Sequence, residues 1–516
     1  MPEATHIDRQ SESADPRLGA RFLLATFAYF FAQFLLRLTH SGALGLDEAE
    51  QFAAAQSLHW GYGPQPPLYS WIAYGLFNLF GPSVFALALL KNSLLCATYV
   101  LIFASGKHMF GDARRAALAA GSLVFLPQIL WESQRELTHS VLAVTLCAAC
   151  FRIFLATLSR PTTPLRIALG FSAGLAVLAK YNSVCFLIGL VAACLGAPSI
   201  RRTFRSPKAW IPVLVASATV APHLIWASQH QDWVLASVDK FEFDPETSPW
   251  RARLTGAVRF LEASFQFLGL WMGIQLALRA VSRTSPHKPK PSPSVDPIDS
   301  SALRWTILGA VFAVVLALLV SGATNVKDRW LQPALFLVPL WGIATYGHRI
   351  PARGSRFLFT TVGIAALSAL VATKLNYRWG GWGKPSRFAA PFEALSSELP
   401  IPAEQPILIL ADSPWPAGNL QRLRPQATVA YPETPLKDSA TRSQRALILW
   451  RARKERLPPE SLQRLAQVHG FDIPSETAPT FIHIPYSFVD EALSYGVLIV
   501  DRTKSPAPLA PTENAH

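Results

Sequence analysis

Three carboxylates stand close together where the first long apolar segment of the chain ends. They are Asp47, Glu48 and Glu50. Charge is costly to bury beside hydrocarbon, so a membrane protein has little structural use for such a cluster. Carboxylates in this setting can act as a catalytic base or as ligands of a metal ion or substrate, and Asp47 is the first candidate. The alternative is that they stabilise the N-terminus of a helix over 49–58 through its dipole.

Basic residues at other predicted membrane edges could neutralise a phosphate. Lys327 and Arg329 precede a late apolar segment, and Lys180 ends an earlier one. Cations at an outer edge oppose the usual charge bias of membrane proteins, which favours a bound phosphate over side chains that reach to the interface. Glu136, which follows an arginine, is a candidate second acid. A local Arg–Glu pair would explain it equally well.

Composition defines the class of protein that must position these residues. The 516 residues are 51% hydrophobic, and several apolar stretches are long enough to cross a bilayer. The formal net charge of +14 could suggest nucleic acid, but the excess lies in short loops between apolar segments, as in cytoplasmic loops. The five cysteines all fall in apolar segments, which argues against zinc or redox chemistry. We therefore predict a polytopic α-helical membrane protein without a nucleic-acid role.

The basic residues also set the topology. They place residues 1–19, a polar tail predicted to be disordered, in the cytoplasm, and the first span then leads to an outer loop over 39–82. The short apolar piece 67–80 begins at two prolines and is predicted to lie in the interface. About 11–13 spans are expected within a membrane domain over 20–375. The assigned spans are 21–38, 83–105, 116–131, 139–158, 166–180, 182–198, 209–227, 255–280, 303–321, 330–347 and 356–374.

After residue 375 the chain changes from apolar segments to a proline-rich, mixed polar sequence. Strands alternating with helices indicate a small α/β domain over 376–516. By the charge pattern, this domain and the carboxylates at 47–50 lie on the same, outer side of the membrane. Short strands are predicted at 407–410, 446–450, 481–484 and 496–501, and helices at 418–423 and 461–469.

The motifs that the sequence lacks reduce the number of possible function classes. The sequence has no Walker loop, no His-Glu-x-x-His and no nucleophile elbow, so an ATP-driven pump is not expected. A transporter or flippase of lipid-linked sugars is an alternative, although it would place ionisable residues in mid-span, where only Lys91, Arg152 and Glu262 are candidates. A third class is a non-catalytic partner in polysaccharide assembly that binds through the C-terminal domain.

Four segments, taken in order, resemble a known family. They are Asp47-Glu48, the outer-loop stretches 66–71 and 79–82, the segment 174–182 and the turn 327–333. Together they resemble polyprenyl-phosphate-dependent C-type membrane glycosyltransferases of families 39 and 83, which include bacterial relatives of protein O-mannosyltransferases and the lipid A aminoarabinose transferase. The likeness covers about residues 20–375. Pro64 and Gln65 stand where many relatives carry a charged residue before the double proline.

The resemblance implies the C-type glycosyltransferase fold and inverting transfer of a sugar from a polyprenyl-phosphate donor to an envelope acceptor such as lipid A, core saccharide, another glycan or protein. Asp47 would be the catalytic base, with Glu48 assisting or holding a divalent metal ion. Lys327, Arg329 and Lys180 would bind the donor phosphate. The protein would lie among the lipids of the bacterial inner membrane, with its site and its C-terminus in the periplasm.

Overall fold

The computed structural model of the protein describes residues 16–235, 248–283, 297–381, 383–402, 404–432, 443–452, 457–473 and 478–503. The predicted polar tail 1–19 falls mostly outside these ranges, and its last residues, from Pro16 onward, already belong to the first helix.

Most of the described chain is helical. The helices up to the last long one are α1 (Pro16–Leu38), α2 (Leu46–Ala54), α3 (Leu68–Phe80), α4 (Val84–Phe110), α5 (Ala113–Gly121), α6 (Ser133–Arg135), α7 (Thr138–Ser159), α8 (Thr163–Ala179), α9 (Ser183–Gly196), α10 (Pro198–Thr203), α11 (Trp210–Gln229), α12 (Gln231–Leu235), α13 (Pro249–Arg283), α14 (Pro297–Ser321), α15 (Gln332–Leu335), α16 (Val338–Tyr346) and α17 (Ala352–Trp379). Short 3-10 turns lie at Ser122–Phe125, Pro207–Ala209, Asp328–Leu331, Gly347–Arg349 and Arg387–Ala389, and a π-helical turn lies at Gln128–Glu132.

Seven of the described helices are long and apolar enough to cross a membrane: α1, α4, α7, α11, α13, α14 and α17. The pair Ala113–Phe125 and Gln128–Arg135, bent by 77° at Pro127, makes an eighth. A proline at this point cannot donate a helical hydrogen bond, which explains the break. Helices α8 and α9 are shorter apolar helices, and α15 and α16 form a broken one. Each assigned span thus coincides with a helix or a broken helix, which confirms the polytopic fold.

Large apolar side chains cover the outside of the long helices as well as their inner faces. Exposed examples are Leu24, Phe27, Leu214, Leu261 and Leu367, each with more than half of its surface accessible. Such surfaces are stable against lipid and not against water.

Local sequence explains where these helices begin and end. The hydroxyl of Ser83 accepts the N–H of Ala86 at the start of α4, and Gly111, with φ of 64°, ends that helix. A glycine adopts this left-handed conformation without steric cost. In the outer loop, α3 has 13 residues and is too short to cross the hydrocarbon core.

The chain after α17 forms the predicted α/β domain. Its helices are α18 (Phe392–Glu398), α19 (Pro414–Leu423) and α20 (Glu460–Val468), and its strands are β1 (Leu408–Ala411), β2 (Thr428–Ala430), β3 (Arg445–Arg451), β4 (Thr480–Pro485) and β5 (Ala492–Asp501). The sheet order is β2-β1-β3-β5-β4, with β1 parallel to β2 and β3, and β5 antiparallel to β3 and β4. All four predicted strands are present, and β2 was not predicted because it has only three residues.

The sheet domain shares a hydrophobic core with the outer loop. Ala49 and Phe52 of α2 and Tyr69 of α3 belong to the same buried cluster as Trp415 and Tyr495 of the sheet domain. A Cβ atom at Gly418 would lie 2.0 Å from the carbonyl oxygen of Ala49, so only glycine lets α19 approach α2 this closely. Helix α2, which carries the three carboxylates, is therefore packed between the membrane helices and the sheet domain.

Candidate active site

The position of each carboxylate along α2 determines whether it faces the cleft or the protein interior. It begins at Leu46, three residues before the predicted start at 49, so Asp47, Glu48 and Glu50 all lie inside the helix. Asp47 and Glu50, three residues apart, share one face and both line a cleft. Glu48, rotated by about 100° from Asp47, points inward and is 3% exposed.

Glu48 is paired with Arg37 at the end of α1. The guanidinium donates to both carboxylate oxygens, at 3.0 and 2.7 Å, and also to the carbonyl oxygens of Ser41 and Ala43. Burial alone would raise the pKa of Glu48, but the charge and hydrogen bonds of Arg37 outweigh it and hold that pKa below its ordinary value. The carboxylate of Glu48 is therefore engaged by Arg37 and does not line the cleft that Asp47 faces.

The same pairing bears on the predicted metal ion. With Glu48 bonded to Arg37, Asp47 and Glu48 present no shared set of oxygen ligands to a divalent cation. Within the part of the chain that the structure describes, no group of three or more His, Cys, Asp or Glu side chains is placed to hold a metal. The residues present do not fit the expected metal site.

Asp47 and Glu136 hold each other through crossed backbone contacts. The carboxylate of Glu136 accepts the N–H of Asp47 at 3.0 Å and that of Leu46 at 3.4 Å. In return, Oδ2 of Asp47 accepts the N–H of Leu137 at 2.6 Å and that of Thr138 at 3.1 Å. These two donors lie at the N-terminus of α7, where the helix dipole also favours a negative charge. The sequence places these residues 89 positions apart, and the fold brings them together.

The backbone at Leu137 adopts an unusual conformation to make this contact. Among the described residues it is the only non-glycine with a positive φ, at 71°. A leucine in the left-handed region is uncommon and costs free energy, and such strain concentrates at functional sites. The strained residue therefore lies where the N–H groups of Leu137 and Thr138 both bond to Asp47.

Glu136 also contacts the C-terminal part of the chain. Arg387, in the segment after α17, donates to Oε1 at 3.2 Å. Burial and the neighbouring charge of Asp47 raise the pKa of Glu136 to about 7, although Arg387 and the Asp47 N–H act in the opposite direction. A carboxylate with a raised pKa, Glu136, therefore stands beside Asp47.

The cleft faced by Asp47 has a volume of about 570 Å³ and joins a polar end to an apolar wall. Asp47 and Glu50, with Pro64 and Gln65 of the outer loop, line the polar end. The apolar wall comes mainly from α14, with Val314, Ala317 and Leu318, and from Leu331 and Cys185. A lining of this kind suits a ligand with a polar head and a lipid tail.

Two of the three predicted cations lie in this cleft. Lys180 and Arg329 line it together with Asp47, and Lys180 Nζ donates to the hydroxyl of Ser140 at 2.6 Å. Lys327 does not line the cleft; its Nζ lies 5.9 Å from the ring centroid of Trp330. Asp47, Lys180 and Arg329 are thus brought together, whereas Glu48 and Lys327 are directed elsewhere.

Several residues that shape the site carried little signal in the sequence. The spacing of three between Glu50 and Asp47 indicates a common helix face only once the helix start is known. Ser140, Arg387 and Asn419 are ordinary polar residues whose partners lie far along the chain. No local pattern marks such long-range contacts.

Comparison with known proteins addresses the family. Residues 64–226 match the family described as dolichyl-phosphate-mannose-protein mannosyltransferase. Two proteins of Rhizobium johnstonii are similar over most of their length: the lipopolysaccharide core galacturonosyltransferase RgtB, 29% identical over 89% of this chain and 93% of its own, and the corresponding RgtA, 29% identical over 84% and 87%.

The crystal structure of ArnT from Cupriavidus metallidurans in the apo state is similar in fold, with a TM-score of 0.57, 14% identity, and coverage of 95% of this chain and 99% of that one. This protein is a membrane glycosyltransferase with an ArnT-like C-type fold. The resemblance seen in the four sequence segments is thereby confirmed. In this glycosyltransferase the likeness to ArnT also extends over the sheet domain, for which the sequence motifs indicated only a similar position in the chain.

Proposed function

We propose that this glycosyltransferase transfers a hexuronosyl residue from a polyprenyl-phosphate donor to the core saccharide of lipopolysaccharide, at the periplasmic face of the bacterial inner membrane. The sugar and the acceptor are proposed by analogy with RgtA and RgtB, which are named as lipopolysaccharide core galacturonosyltransferases. The orientation follows the positive-inside rule, since the basic loops lie at the opposite ends of the spans from Asp47.

One observation carries the proposal: Asp47, Lys180 and Arg329 line a single cleft that also has an apolar wall. A polyprenyl chain fits the apolar wall, and its phosphate is drawn to the two cations at the polar end. A sugar linked to polyprenyl phosphate is already activated, so its transfer outside the cytoplasm requires neither ATP nor a nucleotide sugar.

The chemistry is a single displacement. Oδ2 of Asp47 is engaged by two backbone N–H groups, so Oδ1 takes the proton of the acceptor hydroxyl. The acceptor oxygen then bonds to the anomeric carbon while the bond from that carbon to the phosphate oxygen breaks, which inverts the centre. Lys180 and Arg329 neutralise the charge of the departing polyprenyl phosphate.

Reconstitution with a labelled polyprenyl-phosphate sugar tests the proposal. The wild-type protein should move label covalently to lipopolysaccharide, and Asp47→Asn should abolish transfer while retaining the wild-type unfolding midpoint and donor binding. An active Asn variant rules out Asp47 as the base. Movement of the intact donor across the vesicle membrane, without covalent transfer, supports the flippase alternative and refutes the enzyme.

A further inference from the structure

A second cavity adjoins the Asp47–Glu136 contact. It has a volume of about 1000 Å³ and is bounded by the end of α17, residues 380–381 and 384–388, and the sheet domain. Glu136 lines this cavity, whereas Asp47 lines the cleft with the apolar wall. The two spaces therefore meet at one pair of hydrogen-bonded residues.

The charges around the second cavity are partly compensated. Its charged lining consists of four basic residues and three acidic ones: Arg135, Lys384, Arg387, Arg451, Glu132, Glu136 and Glu491. Arg135 is paired with Glu132 at 3.1 Å and Arg387 with Glu136 at 3.2 Å. Within the described ranges, neither Lys384 nor Arg451 forms an ion pair with a carboxylate. Two cations thus face the cavity against the single charge of Glu491.

The remaining lining suits a sugar. Trp131, Phe388 and Tyr486 provide ring faces or edges, and Asn376 and Ser386 provide hydrogen-bonding groups. The guanidinium carbon of Arg451 lies 5.5 Å from the ring centroid of Trp415, and the backbone N–H of Arg451 donates to Asp412 at 2.7 Å. Both contacts are made within the sheet domain, so this domain holds Arg451 in position. The cavity is large and polar enough for two or three sugar units.

We propose that this cavity receives the acceptor saccharide and that Lys384 and Arg451 bind an anionic group on it, either a carboxylate or a phosphate. The inference rests on the proposed function and adds the chemical class of the acceptor. The lipid-borne donor and the charged acceptor then occupy two separate spaces that meet at the carboxylate pair.

Binding of a deacylated lipopolysaccharide core oligosaccharide to the full-length protein in detergent tests the inference by isothermal titration. The probe is used in three forms: intact, with its carboxylates reduced to alcohols, and with its phosphates removed. Lys384→Gln and Arg451→Gln should each weaken binding of the intact form about tenfold. Arg464→Gln, a change of an exposed arginine on α20, serves as the matched control and should bind as the wild type does.

The modified probes identify the anion. The form that lacks the recognised group should bind the wild type weakly and should bind both Gln variants equally weakly. Equal wild-type affinity for all three forms, or wild-type affinity in both Gln variants, overturns the inference. Failure of the proposed function looks different, because wild-type protein would then bind the intact oligosaccharide and transfer no sugar to it. Donor binding, measured separately, should be the same in all variants.

Discussion

The side-chain amide of Asn419 pairs with both backbone polar groups of Leu44. The N–H of Leu44 donates to Oδ1 at 2.8 Å, and Nδ2 donates to the carbonyl oxygen of Leu44 at 3.3 Å. That oxygen also accepts the indole N–H of Trp415 at 2.9 Å. Leu44 lies three residues before Asp47, and Asn419 and Trp415 both belong to α19. The sheet domain is therefore part of the structure that positions the proposed base.

Loss of this amide should reduce turnover. Asn419→Ala leaves the N–H of Leu44 without its partner and the carbonyl oxygen with only its bond from Trp415, which lets α2 shift. A misplacement of about 1 Å can cost about 100-fold in rate. Donor binding should change little, because Asn419 does not line the cleft. The measurement is the rate of sugar transfer at saturating donor. Gln467→Ala, at an exposed amide on α20, is the control, and equal rates in both variants would contradict the positioning role.

Substitutions of Arg329 and of Lys327 should differ in their effect on the KM for the donor. Arg329 lines the cleft and Lys327 does not, so Arg329→Gln should raise the KM for the polyprenyl-phosphate sugar by about 10- to 100-fold, the range for a lost charge-assisted hydrogen bond. Lys327→Gln should change it less than threefold, or roughly 0.6 kcal/mol. Steady-state kinetics over a range of donor concentrations make the comparison. A larger effect at Lys327 would reverse the assignment.

Substitutions at Glu48 and at Glu50 should have different effects, the first on stability and the second on sugar transfer. Glu48→Gln leaves the buried charge of Arg37 without its counter-ion, which typically costs about 3–5 kcal/mol, and should lower the thermal unfolding midpoint in detergent. Arg37→Gln combined with Glu48→Gln should recover part of that loss. Glu50→Gln, on the cleft face, should reduce transfer and leave the midpoint near that of the wild type. An unchanged midpoint in Glu48→Gln would show that the ion pair is not a structural element.

Glu136 should give the protein a specific pH dependence of stability. Its pKa is raised from 4.5 to about 7 by burial and by Asp47. Between these two pH values the folded protein holds the Glu136 proton, whereas the unfolded chain has released it. The contribution of Glu136 to the free energy of unfolding is therefore fully present below pH 4.5 and is lost as pH rises toward 7. Thermal midpoints between these values should fall less steeply in Glu136→Gln. Glu398→Gln, at an exposed carboxylate, should keep the wild-type slope.

The sequence predicted the elements better than the contacts between them. Apolar length and basic loops located each span, because both signals are local, and strands β1, β3, β4 and β5 followed from short buried runs. Which of the three carboxylates lines the cleft depends on where α2 begins, and that helix begins three residues earlier than predicted. The link between Glu136 and Asp47 depends on how distant segments pack, and no single segment encodes it.

The contact between Asp47 and Glu136 joins the cleft proposed for the lipid carrier to the cavity proposed for the glycan. A spent lipid carrier can diffuse back into the bilayer while the elongated glycan leaves into the aqueous compartment, so neither product has to depart before the other. Inhibitors that mimic the carrier and inhibitors that mimic the glycan would then occupy the enzyme at the same time, and their effects would multiply instead of competing.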